Sequence, residues 1–313
     1  MRGSERDVVP EPGRCFPVRL PQTVVGTDGS PPAAVAVEHA AREAACRGTR
    51  LRIVHSVDWV PPPGIATALD EAGRRALRES GEHVLSEAEA RARSVAPDID
   101  VRTTLAGGDP RPVLAELSRD ALMTVVGSSG SSGITSGLLG SVSRHLATRA
   151  EGPVLVVRET PAPGGPVVVG VDGSSPAEAA TAFAFAEAAA CGGPLVALHA
   201  WSEWSVPPVP PHDPALRYAK APGELQAGEE RLLAELLSGW GERCPDVAVE
   251  RRAVRERPRQ ALIEASRTAR LLVVGSRGEG GFAGLRLGSV SMAVLHHAHC
   301  SVAVVRGRRD DSQ

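Results

Sequence analysis

Gly127-Ser128-Ser129-Gly130, followed after nine further residues by Gly140-Ser141, returns 148 positions downstream as Gly275-Ser276-Arg277-Gly278 and then Gly288-Ser289. Each occurrence stands directly behind an apolar run, ending in Val125-Val126 and in Val273-Val274. Glycines placed where a strand ends and a helix is about to begin let backbone approach an anion, and the helix start adds unpaired N–H groups and a positive dipole. Two such loops predict two nucleotide sites.

The flanks repeat with the loops. Thr23-Val24-Val25-Gly26-Thr27-Asp28-Gly29-Ser30 lies opposite Val167-Val168-Val169-Gly170-Val171-Asp172-Gly173-Ser174 at an offset of 144, and Pro153-Val154-Leu155-Val156-Val157-Arg158 opposite Ser301-Val302-Ala303-Val304-Val305-Arg306 at 148. The chain is an internal duplication. Its 313 residues suit two domains of about 150 residues, each burying its own core.

Each copy alternates short β-branched runs with longer helical patterns, which predicts successive βαβ units and a parallel, doubly wound α/β sheet. Strands are expected near 22–27, 51–57, 99–104, 122–127 and 153–158, then 166–171, 194–200, 247–253, 271–275 and 301–306. Helices are expected at 32–47, 70–95, 176–191 and 223–242. The domains read as 21–158 and 166–306, joined by a stiff linker at 159–165 rich in proline and glycine. Residues 1–20 and 307–313 read as proline-rich or charged tails without a packing pattern, expected to be disordered.

Net charge is −2 and charged residues make up 23%, so no nucleic-acid or anionic-membrane partner is expected. No apolar run reaches the roughly 20 residues of a membrane helix, and the N-terminus lacks a signal peptide's apolar middle. Five scattered cysteines without a C-x2-C pair fit reduced thiols, and a cytoplasmic location is expected. Aromatic content of 3% predicts aliphatic cores, the strands being buried on both faces.

Asp28 and Asp172 stand where the first strand of each copy ends, at the rim where open α/β sheets hold ligands. A carboxylate there accepts from ribose hydroxyls or helps to hold a cation; alternatively it caps the following helix together with Ser30 or Ser174. Ser141, Val142 and Ser143, like Ser289, Val290 and Ser291, open the fourth helix of their copy, where hydroxyl and N–H groups can converge on phosphate, unless the serine is only an N-cap. Copy two carries Arg277 and Arg286 where copy one has Ser129 and Leu138, which predicts tighter triphosphate binding in copy two, unless both arginines are solvated surface residues.

The glycine loop follows the fourth strand, whereas the dinucleotide fingerprint G-x-G-x-x-G belongs after the first. There is no G-x4-G-K-[ST] loop, so no lysine is set to stabilise a transferring phosphoryl group. His55 and His199 occupy matching places late in the second strand and read as structural or ligand-lining. His296, His297, His299 and Cys300 straddle a helix end and a strand start, a spacing that points their side chains apart and speaks against a metal site. The proline-rich stretches 60–64 and 206–211 read as loops at the pocket mouth.

The Val-Gly-x-Asp-Gly-Ser strand end, the G-x2-G-x9-G-S loop and the closing Pro-Val-Leu-Val-Val strand together resemble the universal stress protein family in tandem form, over nearly all of residues 20–306. The resemblance implies two five-stranded parallel sheets of order 3-2-1-4-5. It implies that Asp28 and Asp172 contact adenosine, that backbone at Ser56, Ala200, Val126 and Val274 borders base and ribose, and that the glycine loops wrap the phosphates. ATP is the implied cofactor, with magnesium left open. The last strands are expected to pair with each other inside the chain, hiding two exposed edges, and homodimers stay open. Arg255-Glu256-Arg257-Pro258 departs from the pattern, lacking the glycines of Gly107-Gly108-Asp109-Pro110.

The expected function is ATP binding in stress response or signalling, with little or no turnover and an unidentified protein partner. Slow ATP hydrolysis and a nucleotide-free scaffold are the alternatives.

Overall fold

A computed structural model describes residues 21–57, 71–130, 139–158, 164–202, 222–278 and 286–307. The first copy comprises β1 (Gln22–Gly26), α1 (Pro31–Cys46), β2 (Arg50–Val57), α2 (Glu71–Val95), β3 (Val101–Gly107), α3 (Pro110–Leu117), β4 (Ala121–Gly127), α4 (Ser141–Arg149) and β5 (Val154–Val157). The second comprises β6 (Val167–Gly170), α5 (Ser175–Cys191), β7 (Leu195–Trp201), α6 (Pro222–Leu236), α7 (Trp240–Arg243), β8 (Val249–Arg255), α8 (Pro258–Ala265), β9 (Leu271–Gly275), α9 (Ser289–His297) and β10 (Ser301–Val305).

The strand order is β3-β2-β1-β4-β5-β10-β9-β6-β7-β8, so each half has the expected 3-2-1-4-5 arrangement. The expected pairing of the last strands inside the chain joins the two sheets. β5 and β10 pair antiparallel, with Val156 opposite Val302 and Val154 opposite Val304, and fuse the halves into one ten-stranded sheet. Every other strand pair is parallel. An edge strand leaves a row of unpaired backbone groups, and each half satisfies its own row with the other's.

Because successive side chains in a strand face opposite ways, the sheet builds two cores by face and not by copy. Val25, Ile53, Val125, Leu155, Val169, Val273 and Ala303 pack on one face under α1, α2, α5 and α6. Val24, Val54, Val126, Val156, Val274 and Val302 pack on the other with α3, α4, α8 and α9. Alanines at Ala36, Ala40 and Ala44 of α1 and at Ala177, Ala180, Ala184 and Ala188 of α5 let these helices sit close to the valine-rich strands.

Two expectations shift in detail. The helix expected at 223–242 breaks after Leu236, because Gly239 adopts a left-handed φ of 78° and the chain restarts as α7. The edge strands β3 and β8 begin later than their first apolar residues: Ile99 and Val247 are buried as core anchors, while ladder pairing starts at Val101 and Val249. Arg255–Pro258 does differ from its counterpart: Asp109 caps α3 by accepting from the Arg111 N–H at 2.8 Å, whereas Arg257 at the start of α8 offers no side-chain cap. The proline-rich loops at 60–64 and 206–211, the linker residues 159–163 and the tails 1–20 and 308–313 lie outside the described residues. Among the described residues no helix is long and apolar enough to cross a membrane.

Candidate nucleotide site

A crevice opens in each half where neighbouring strands part. β1 and β4 pair as far as Val25 and Val125, and β6 and β9 as far as Val169 and Val273. Beyond those points the two chains lean away from each other. The Thr27 N–H donates to the Val54 carbonyl (2.9 Å) and the Val171 N–H to that of Leu198 (3.0 Å), drawing the first strand's exit towards the second strand. The Ser128 N–H donates to Val157 (2.9 Å) and that of Ser276 to Val305 (2.7 Å), drawing the fourth strand's exit towards the last. Divergence at a topological switch point makes the opening that open α/β sheets use for ligands.

One wall carries Asp28 or Asp172. In each, Oδ1 accepts from the N–H of the serine two residues on (3.0 Å for Ser30, 3.1 Å for Ser174) and from its hydroxyl. The serine in turn caps the next helix, accepting from Ala33 at 3.4 Å and from Ala177 at 3.3 Å. The cap is therefore the serine, and the aspartate steadies it through one oxygen. The other oxygen, Oδ2, faces the glycine loop: a Cβ on Gly130 would stand 2.8 Å from Oδ2 of Asp28, and one on Gly278 2.5 Å from that of Asp172.

The loops are closed at the neck. Gly140 N–H donates to the Ser128 carbonyl at 2.8 Å and Gly288 N–H to that of Ser276 at 2.7 Å. Gly127 and Gly275 abut backbone of the first helix, their added Cβ atoms falling 2.9 Å from Pro32 O and 2.8 Å from the Pro176 carbonyl carbon. α4 and α9 start from Gly140 and Gly288 without a side-chain cap, so among the described residues no N-cap side chain accepts from the N–H groups of their first turns. Ser141 and Ser289 are exposed there, with Val142 and Val290 half-buried. Ser143 and Ser291 are buried, and their hydroxyls donate to the Gly127 and Gly275 carbonyls at 2.6 and 2.7 Å. These two hydroxyl protons hold the helix to the strand end and are not available to an anion.

Ser56 and Ala200 lie half-buried near the end of the second strand of their copy. Ser56 donates its hydroxyl to the Gly108 carbonyl. Val126 and Val274 turn their side chains into the core. In copy two Arg277 and Arg286 are exposed, and no ion pair among the described residues engages either. Loop residues 131–138, which include Leu138, and 279–285 lie outside the described residues.

His55 and His199 brace the turn that bears the aspartate, Nδ1 lying 2.8 Å from Thr27 O and 2.7 Å from Val171 O. His199 also meets Glu229 of α6 through Nε2 at 3.0 Å. Pairing with a residue 30 positions away has no local sequence signal. His297 and His299 are exposed while Cys300 is buried with its thiol pushed up to about 12 by that burial, so these groups face different surroundings. The group of metal-type donors found among the described residues is Glu43, Glu187 and Cys191, where two guanidinium groups already supply the positive charge. Glu43 interrupts the Ala36-Ala40-Ala44 stripe of α1, a sequence signal for a buried acid.

The model described as the universal stress protein family matches residues 22–158 and again 165–306. Universal stress protein Rv2623 of Mycobacterium tuberculosis is 42% identical over 297 residues, covering 90% of this chain and 95% of its own. Universal stress protein Rv1996 of the same organism is 40% identical over 306 residues, covering 92% and 95%. The crystal structure of a universal stress protein from Archaeoglobus fulgidus superposes with a TM-score of 0.66 at 20% identity, over 93% of this chain and 97% of that one, a likeness of fold. With the family model matched twice and relatives at this identity over nearly its whole length, the chain belongs to the universal stress protein family, in tandem form.

Proposed function

We propose that the protein is a cytoplasmic ATP-binding member of its family, with 21–158 and 166–306 each forming one nucleotide-binding domain that retains its ligand with little or no turnover. The observation that carries this reading is the apposition of Asp28 to Gly130 and of Asp172 to Gly278 across a crevice whose floor is an uncapped helix start. In this reading the aspartates accept from ribose hydroxyls, and the backbone of Ser56, Val126, Ala200 and Val274 borders the adenosine. The Gly127–Gly130 and Gly275–Gly278 segments, together with the N–H groups of residues 141–143 and 289–291, take the phosphates. Where magnesium accompanies the ligand, Asp28 and Asp172 are the carboxylates that would lie beside it.

Low turnover is supported by the state of the histidines. A general base must reach the attacking water, and both rings are held by backbone carbonyls, His199 additionally by Glu229. The nucleotide would act by ordering the glycine loops, which shifts a surface that a protein partner reads.

The test is calorimetry with ATP on the full chain and on Ser141→Glu and Ser289→Glu. A carboxylate in the first turn of a helix is favourable to the helix, so folding is retained, yet it repels phosphate from the same N–H groups. Two binding events in the wild type and the loss of one in each variant support the reading. ATP binding unchanged in both variants, or none in the wild type, overturns it.

A further inference from the structure

Glu43 of α1 and Glu187 of α5, 5% and 2% exposed, meet across the seam between the two copies. Their carboxyl oxygens and the Cys191 sulfur lie within 4.8 Å of one another. Two carboxylates that close in a buried place repel each other, and one of them holds a proton more easily than it would in water. The surrounding charges come from three elements. From α1 and its end, Arg47 donates to Glu43 at 3.3 Å and to Glu187, and His39 lies 3.7 Å from Glu43, with Arg42 beside that imidazole. From α5, the Cys191 thiol points at Glu187 (3.4 Å), and from the entry to β9, Arg270 donates to Glu187 at 3.3 Å. Arg47 also lies over the Phe183 ring at 5.5 Å, so the helix ends are joined through this cluster.

We propose that the seam is a proton-sensitive joint: a single proton held between Glu43 and Glu187 keeps the C-terminal turns of α1 and α5 together, and its release loosens them. Burial first, then the neighbouring Glu187 charge, raises the Glu43 carboxyl to about 7, while Glu187 is held below its ordinary range by Arg47 against its own desolvation. Burial also lowers His39 to about 4. The two shifts oppose one another in their effect on the joint. A carboxyl raised in the closed joint favours closure at low pH and loses that effect as pH rises through 7; an imidazole lowered in the closed joint disfavours closure below its ordinary 6.5. From the values of about 7 against an ordinary 4.5 for Glu43, the carboxyl's contribution falls about tenfold between pH 6 and pH 8. The imidazole's rises about fourfold over the same interval.

The experiment is amide hydrogen exchange of the full chain, corrected for intrinsic rates, read at the last turns of α1 and α5. The wild type is expected to lose about two- to threefold protection from pH 6 to pH 8. His39→Gln is expected to lose about tenfold, and Glu43→Gln to reverse the sign and gain about fourfold. Identical pH profiles in wild type and Glu43→Gln overturn the proposal. Should Glu43→Gln fail to fold, carbon-13 NMR of glutamate carboxyl groups in the wild type decides. One carboxyl titrating near 7 in the folded protein supports the joint, and all glutamates titrating below pH 5.5 overturn it.

Discussion

The α-carbon of Gly130 faces the carboxylate of Asp28 so closely that a methyl group on it would stand 2.8 Å from Oδ2, and Gly278 stands in the same relation to Asp172 at 2.5 Å. An alanine at either position therefore turns the aspartate away from the loop. The group that has to move is the end of a short side chain and not backbone, exposed in Asp28 and half-buried in Asp172, so stability suffers little. Gly130→Ala and Gly278→Ala are each expected to weaken ATP binding at their own crevice about tenfold, with a melting temperature within a few degrees of wild type, measured by calorimetry and thermal unfolding.

Gly127 and Gly275 behave differently although they belong to the same motif. An added Cβ there meets backbone of the first helix at 2.9 and 2.8 Å, and backbone cannot swing aside. Gly127→Ala and Gly275→Ala are expected to destabilise the chain by about 1–3 kcal/mol, read as a lower urea midpoint, as overpacking of a tight contact does.

The two crevices differ in charge. Arg277 is exposed at the mouth of the second, where the first has Ser129. In a Ser141→Glu background, which silences the first crevice, Arg277→Ala is expected to weaken ATP binding about tenfold, through loss of a charge-assisted phosphate contact. In a Ser289→Glu background the same substitution is expected to change nothing. Calorimetry of the two double variants separates these outcomes.

Glu187 is the shared partner of Arg47 and Arg270 in a buried seam. Removing this carboxylate leaves Arg270 without its ion-pair partner and Arg47 with Glu43 alone, and Glu187→Ala is expected to cost about 3–5 kcal/mol by urea denaturation at pH 7. Glu187→Gln, which keeps hydrogen-bonding capacity, should recover part of that loss.

Much of this architecture is legible before folding is considered. The β-branched runs and alanine-rich helices place β1, β2, β4, α1 and α5 within a residue or two, because periodicity and caps such as Ser30 and Ser174 are local properties. The edge strands are less legible: polar residues such as Arg251 and Arg252 blur the alternation, and Ile99 and Val247 serve as anchors ahead of the ladder. Ser143 shows the limit within the motif itself. Its spacing suits a phosphate, and only the packing of α4 against β4 turns its hydroxyl onto Gly127.

Sequence alone determined the duplication, the parallel α/β halves, and the aspartate and glycine loop at the ends of the first and fourth strands of each copy, since all of these follow from local spacing and its repetition; that loop and aspartate face one another was implied by the family resemblance. Tertiary structure decided the rest. Docking β5 against β10 merged two sheets into one, drew Arg158 onto the Leu295 carbonyl and Arg306 onto that of Ala147, and brought Arg47 to Glu187 across 140 residues of chain. Contacts of that kind depend on how two complete halves settle together, and neither periodicity nor motif spacing carries that information.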